Sequence, residues 1–146
     1  MMIQPHTAPT GVWLVPGSLD GELLRLDEPL SFWGGFDAPS GTIIDRSHPQ
    51  CGTALTGKVV AMPGSRGSSG TPGVLGESLR LGTGPSGLIV TSGDVNLVAG
   101  ALTAHTLYGS TCPILLVTDD VFAGLQDGAQ IETAAAPSTD TEATDE

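Results

Sequence analysis

Apolar residues in the second half of the chain fall into short runs, each set off by glycine, proline or a polar turn. Residues 57–62 end in Lys58-Val59-Val60-Ala61-Met62, an unbroken run that predicts a strand buried on both faces. Residues 73–81 carry apolar side chains at 74, 75, 79 and 81, the spacing of a short helix. Gly-Leu-Ile-Val-Thr at 87–91 and Pro-Ile-Leu-Leu-Val at 113–117 predict two more buried strands. Between them, residues 96–108 place Leu97, Val98, Ala101, Leu102, His105 and Leu107 near a 3.6-residue period and predict a second helix. Residues 119–125 predict one or two helical turns capped by Thr118 or Asp119, and 129–133 a last strand. Strands alternating with helices imply a parallel, covered sheet in this half.

The first half is less regular. Residues 1–10 are polar, with Pro5 and Pro9, and predict a loose start. Short strands are predicted at 12–15 and 42–44, and apolar residues also return over 21–26. Residues 27–41 are punctuated by Pro29, Gly34-Gly35, Pro39 and Gly41 and predict irregular structure. The expected fold is a layered α/β domain with an irregular, β-rich N-terminal part and no internal repeat.

Composition narrows the picture. A chain of 146 residues suits one domain. Apolar residues make up 39%, but no run approaches 18, so no membrane span is expected. The N-terminus lacks the basic region and apolar core of a secretion leader, which makes a cytoplasmic location the expectation. A net charge of −11 speaks against nucleic-acid phosphates as partners. Residues 137–146 hold Asp140, Glu142, Asp145 and Glu146 without a base, the composition of a disordered acidic tail. The expected divisions are a loose segment 1–18, a folded domain 19–133 and a tail 134–146. Cys51 and Cys112 do not form a metal motif, and two reduced thiols are expected.

Candidate chemistry concentrates between the first buried strand and the first helix, in Met-Pro-Gly-Ser-Arg-Gly-Ser-Ser-Gly-Thr-Pro-Gly at 62–73. A Gly-rich turn between a strand and a helix offers backbone N–H groups to an anion. Arg66 would bind a carboxylate or phosphate there, and Ser68 or Ser69 would act on the substrate; the same composition also suits a plain exposed turn. The loop is not a Walker A motif, because the closing Gly-Lys-Ser/Thr is missing. A second stretch, Leu30-Ser31-Phe32-Trp33-Gly34-Gly35-Phe36-Asp37, packs three of the six aromatic residues into five positions. It reads either as a loop over a ligand or partner, with Ser31 and Trp33 as candidate substrate contacts, or as aromatics filling an irregular corner of the core. Asp45-Arg46-Ser47-His48-Pro49 offers an acid–base histidine or a polar turn with His48 bonded to backbone. His105, near the end of the second helix, reads as a dipole-favoured histidine, and Cys112 as a packing residue. No Ser-His-Asp arrangement, His-Cys cluster or dinucleotide fingerprint completes a site, so its remainder is expected on another polypeptide.

Taken in order, Ser31-Phe32-Trp33-Gly34-Gly35, Gly41-Thr42-Ile43-Ile44-Asp45, His48-Pro49, Met62-Pro63 and Arg66-Gly67-Ser68-Ser69 resemble the aconitase X small subunit, or swivel domain. The likeness continues through Gly82-Thr83, Tyr108-Gly109 and Cys112-Pro113 and covers about residues 20–132. The resemblance implies a swivelling β/β/α layered domain of a hydro-lyase. Such a domain packs over a large subunit that holds most substrate contacts and an iron or iron–sulfur centre; no metal is expected on this chain. It implies dehydration of a hydroxy acid, with cis-3-hydroxy-L-proline the first expectation and mevalonate 5-phosphate the second. It assigns the base to Ser68, with Ser69 the second choice, and substrate binding to Arg66 and Gly67. Where family members continue with more serine or Thr-Val-Gly-Ser, this chain has Gly70-Thr71-Pro72-Gly73, and Pro72 bears on how the helix starts. A serine needs help to act as a base, and helix-start N–H groups with a neighbouring guanidinium would supply it, while the metal, as a Lewis acid, would assist departure of the hydroxyl. A non-catalytic binding or regulatory module that keeps the fold is the alternative of another class.

Overall fold

The computed structural model describes residues 6–64 and 69–133. The elements predicted from the apolar pattern are matched closely in the second half: β6 (Val59–Met62), α2 (Thr71–Leu81), β7 (Gly87–Val90), α3 (Val95–Tyr108), β8 (Ile114–Leu116), α4 (Asp119–Ala123) and β9 (Gln130–Glu132) follow in that order. Before them come β1 (His6–Thr7), β2 (Val12–Val15), β3 (Asp20–Arg25), a short irregular turn α1 (Phe32–Gly35), β4 (Phe36–Asp37) and β5 (Thr42–Ile43). The expected acidic tail lies outside the described residues. The segment before residue 19, expected to be loose, supplies both outer strands of the sheet from His6 onward.

Seven strands form one sheet in the order β1-β9-β3-β6-β7-β8-β2, and β4 and β5 pair separately. The central strands β3, β6, β7 and β8 are parallel. Every residue of β6 and β7 is buried. Successive side chains point to opposite faces. Val60, Met62, Leu88 and Val90 therefore join Leu75, Leu79, Leu97 and Ala101 of α2 and α3 on one side. Val59, Ala61 and Ile89 join Leu19, Leu23, Leu115, Phe122 and Ile131 on the other. Burial on both faces is why these strands read as continuous apolar runs.

The sheet is strongly curled. β1 and β2 stand at its two ends, yet residues 8–11 alone join them. A flat sheet of this width spans about 29 Å between its outer strands, whereas so short a link reaches about 18 Å at most. The ends therefore approach one another, which reduces the exposed strand edges. One apolar cluster lies between the sheet and α2 and α3, and the second lies on the opposite face with Phe122 of α4.

Pro72 is accommodated because it falls in the first turn of α2, where its missing N–H removes no bond of the helix's own ladder. The helix consequently starts at Thr71, two residues before the start predicted at residue 73. Among the described residues no helix is long and apolar enough to cross a membrane.

Leu75 is fully buried in the cluster between the sheet and the two helices, whereas Val95 is 77% exposed. Leu75→Ala is expected to cost about 2–5 kcal/mol and Val95→Ala to stay within about 0.5 kcal/mol, both read from urea unfolding.

Candidate functional site

The parallel strands deliver four loops to one edge of the sheet, beyond their carboxyl ends, the usual location of ligands in such sheets. β6 opens there into the Gly-rich loop, whose first described residues are fixed: the Gly64 N–H donates to Thr91 Oγ1, at the end of β7, at 2.5 Å. Arg66, Gly67 and Ser68 lie outside the described residues. Ser69 is described and exposed. Gly70 then leads into α2 as its N-cap, with no side-chain cap bond. The neighbouring helices differ: Asp94 Oδ1 accepts from Asn96 N at 2.9 Å at the start of α3, and Thr118 Oγ1 accepts from Val121 N at 3.2 Å at the start of α4. The first-turn backbone N–H groups of a helix have no acceptor within its own ladder and are served from outside it. Thr71, 1% exposed, adds a buried Oγ1 with no hydrogen-bond partner among the described residues.

The aromatic stretch divides its labour. Phe32 and Phe36 are buried and meet edge to face, with ring centroids 5.1 Å apart and an interplanar angle of 67°. Trp33 is 62% exposed. The backbone explains the split: Trp33 is extended at φ −80°, ψ 114°, and Gly34 turns the chain at φ +83°, a region glycine reaches without steric cost. Ser31 Oγ donates to the Trp33 carbonyl at 2.9 Å and braces this turn. The Trp33 ring lies directly on Gly70: a β-carbon placed there would fall 2.6 Å from Trp33 Cε3. Trp33, with Ser31 behind it, and Ser69 are thereby brought to one place, the N-terminal end of α2.

His48 is not part of this group. It is 4% exposed, Nδ1 accepts from the Gln50 N–H at 3.0 Å, and Nε2 faces the Glu28 carbonyl at 3.1 Å. A backbone N–H can only donate, so the proton sits on Nε2 and His48 clamps a turn to the start of the aromatic stretch. Asp45 Oδ1 accepts from the N–H and hydroxyl of Ser47, completing that turn. His105 is exposed and borders a cavity of about 410 Å³ with Cys112 and Pro113, at the opposite edge of the sheet. Both cysteines are free; burial pushes the Cys112 thiol up to about 12, so it stays protonated. Among the described residues no three His, Cys, Asp or Glu side chains converge to hold a metal ion. Thr71 and Thr91 were not singled out from sequence, because a lone threonine at a loop end carries no pattern of its own.

Comparison with known proteins gives consistent matches. Residues 9–140 match the family described as the aconitase X swivel domain. The chain is 44% identical over 101 residues to a cis-3-hydroxy-L-proline dehydratase of Pseudomonas aeruginosa, covering 69% of this chain and 17% of that protein. It is 36% identical over 94 residues to the phosphomevalonate dehydratase small subunit of Pyrococcus furiosus, covering 64% of this chain and 70% of that one. The chain thus spans under a fifth of the length of the hydroxyproline dehydratases it matches. The crystal structure of Thermococcus kodakaraensis aconitase X in its holo form shares the fold, with a TM-score of 0.73 at 24% identity over 84% of this chain and 87% of that one.

Two outcomes follow from this geometry. Gly70→Ala is expected to displace the Trp33 ring, read as a shift of tryptophan emission in a Trp13→Phe background, while the unfolding midpoint changes little. Cys112 binds its proton more tightly folded than unfolded, so the stability it contributes is fully present below about pH 9 and is lost as pH rises toward 12. Unfolding titrations should show a decline of at most about 1.4 kcal/mol per pH unit in that window, and Cys112→Ala should flatten it.

Proposed function

The chain belongs to the aconitase X swivel-domain family, and from that premise we propose that it is the small, swivelling subunit of an aconitase X-type hydro-lyase that works with a large subunit. The single observation that supports this most is the one-sidedness of the site. The α2 start and the Trp33 ring meet at an exposed edge of the sheet, and neither His48, held by backbone bonds, nor His105, at the opposite edge, reaches it. Trp33, Ile44 and Val95 are exposed apolar residues on loops and a helix start at that edge, and a covering partner would remove them from water.

In this reading Ser68 Oγ takes the proton from the carbon beside the substrate carboxylate, and hydroxide leaves the adjacent carbon, so that water is lost overall. Arg66, Gly67 and the first-turn N–H groups of α2 hold the carboxylate as charge builds on it, and they favour the serine alkoxide. Ser31 and Trp33 close the substrate's flank. In this reading the iron or iron–sulfur centre belongs to the large subunit. The chain alone is then inactive.

Identity favours cis-3-hydroxy-L-proline as substrate, since relatives of that name reach 44% and 38%. Mevalonate 5-phosphate is the second reading, supported by a 40% identical phosphomevalonate dehydratase small subunit of Methanopyrus kandleri. A purely structural or regulatory module would have no use for Arg66-Gly67-Ser68, which the sequence retains.

Co-expression with the large chain, followed by dehydration assays on both compounds, tests the reading. Turnover of one compound that requires both chains is expected; a stable complex that turns over neither would leave only the assembly. Ser68→Ala is expected to lower kcat at least ~100-fold without loss of the complex, in the range seen when a positioned acid–base group is removed. Surviving activity in that variant, abolished instead by Ser69→Ala, would move the base to Ser69.

A further inference from the structure

Five basic residues serve a chain of net charge −11, so the placement of each is informative. Lys58 Nζ meets Glu22 Oε1 at 3.0 Å, and Arg80 grips both carboxylate oxygens of Glu77 at 2.8 and 2.6 Å. Arg46 lies exposed in its turn. Arg25 is different. It is half-buried as the last residue of β3, and among the described residues no carboxylate pairs with it. Its Nε is buried without a hydrogen-bond partner. The guanidinium carbon stands 4.6 Å from the centroid of the Phe122 ring. Its backbone is held on both sides: the N–H donates to Asp127 Oδ1 at 2.8 Å, and the carbonyl accepts from Gln50 Nε2 at 2.8 Å.

A cation withdrawn from water without a counter-charge is costly, and ring stacking offsets only part of that cost. Pinned backbone and stacked side chain also mean that little freedom remains to be lost when an anion arrives. Its position is suggestive too. Arg25 pairs in register with Ala61 of β6, the strand that feeds the Gly-rich loop, so it stands at the same carboxyl edge.

We propose that Arg25 is a second anion anchor of this edge, taking a carboxylate or phosphate oxyanion in the fork of its guanidinium. Two sources carry such a group: the substrate of the proposed dehydratase, and a carboxylate of the large subunit that covers the edge. The role of either source rests on the dehydratase reading, whereas the capacity to bind an oxyanion does not.

The first test uses the full chain alone. Arginine Nε–H resonances are followed by NMR during titration with inorganic phosphate, with sodium chloride at matched ionic strength as control. Arg25→Met keeps the aliphatic stem on Phe122 and identifies the signal; Arg25→Lys serves if the Met variant does not fold. A saturable phosphate shift of the Arg25 signal is expected, and its absence overturns the proposal whatever the chain's reaction. The second test uses the assembled complex. A rise in KM of ~10-fold or more at unchanged kcat in Arg25→Met, with partial recovery in Arg25→Lys, assigns the oxyanion to the substrate. A comparable weakening of complex formation at unchanged KM assigns it to the large subunit. If neither quantity moves, Arg25 serves only as a lid on Phe122 and the proposal falls.

Discussion

Burial of β6 and β7 on both faces is the constraint from which the rest follows. No residue of these two strands touches solvent, so none can carry polar chemistry along its length without a costly unmet hydrogen bond. Reactive groups are thereby confined to the ends of the strands. The helical connections α2 and α3 both pack on one side, and a second cluster covers the other. What is left open is the rim at the carboxyl ends, where the Gly64 N–H meets Thr91 and where Arg25 ends β3. A loop that starts from such a base is held at its root whatever its middle does.

The N-terminal half of the chain completes this rim. Phe32 and Phe36 are sunk in the core so that Trp33, between them in sequence, is thrown outward onto Gly70. The turn that does this is held from behind by His48, through Glu28, and by Gln50, through the backbone of Arg25 and Asp27. These residues belong to the site only in the sense that they aim others. A histidine with one ring nitrogen accepting from backbone and the other donating to backbone has no proton free to exchange with a substrate.

The elements that were legible in the sequence are those whose signal is local. β6, β7 and β8 show as uninterrupted apolar runs, α3 shows its 3.6-residue period, and α4 shows its cap, read as Thr118 or Asp119 and found at Thr118. β3 was less plain, because Asp20, Gly21 and Glu22 open it on a part of the strand that pairs with the polar β9. β2 is legible at 12–15, but its place at the end of the sheet, like the existence of β1, depends on the curl of the whole sheet. The same holds at the site. Whether the aromatic stretch was core or surface could not be decided from its composition, and both answers are right for different residues of it. The Trp33–Gly70 contact joins positions 37 residues apart, and a cation that meets a ring but no carboxylate among the described residues, as at Arg25, is defined by what the fold brings near it. Arg66 and Ser68 or Ser69 stand out in the sequence as polar groups of a Gly-rich turn between strand and helix, but the choice of Ser68 as base rests on resemblance, since glycine, serine and arginine in a turn carry no period.

Charge makes the proposed partner more than a lid. An anionic substrate approaching a chain of net charge −11 meets repulsion at long range, although salt screens it beyond about 8 Å in physiological conditions. Attraction must come from close by, from the α2 start and from guanidinium groups. In water such donors act weakly, because the high dielectric shields them; with water excluded the same groups act several-fold more strongly. The exposed Trp33 and Val95 are then the other half of one device. On the proposed reading, the surface that docks the large subunit is the surface whose covering strengthens the donors, so assembly and catalytic competence arise in a single step, and a small chain with little basic charge is sufficient for its share of the chemistry.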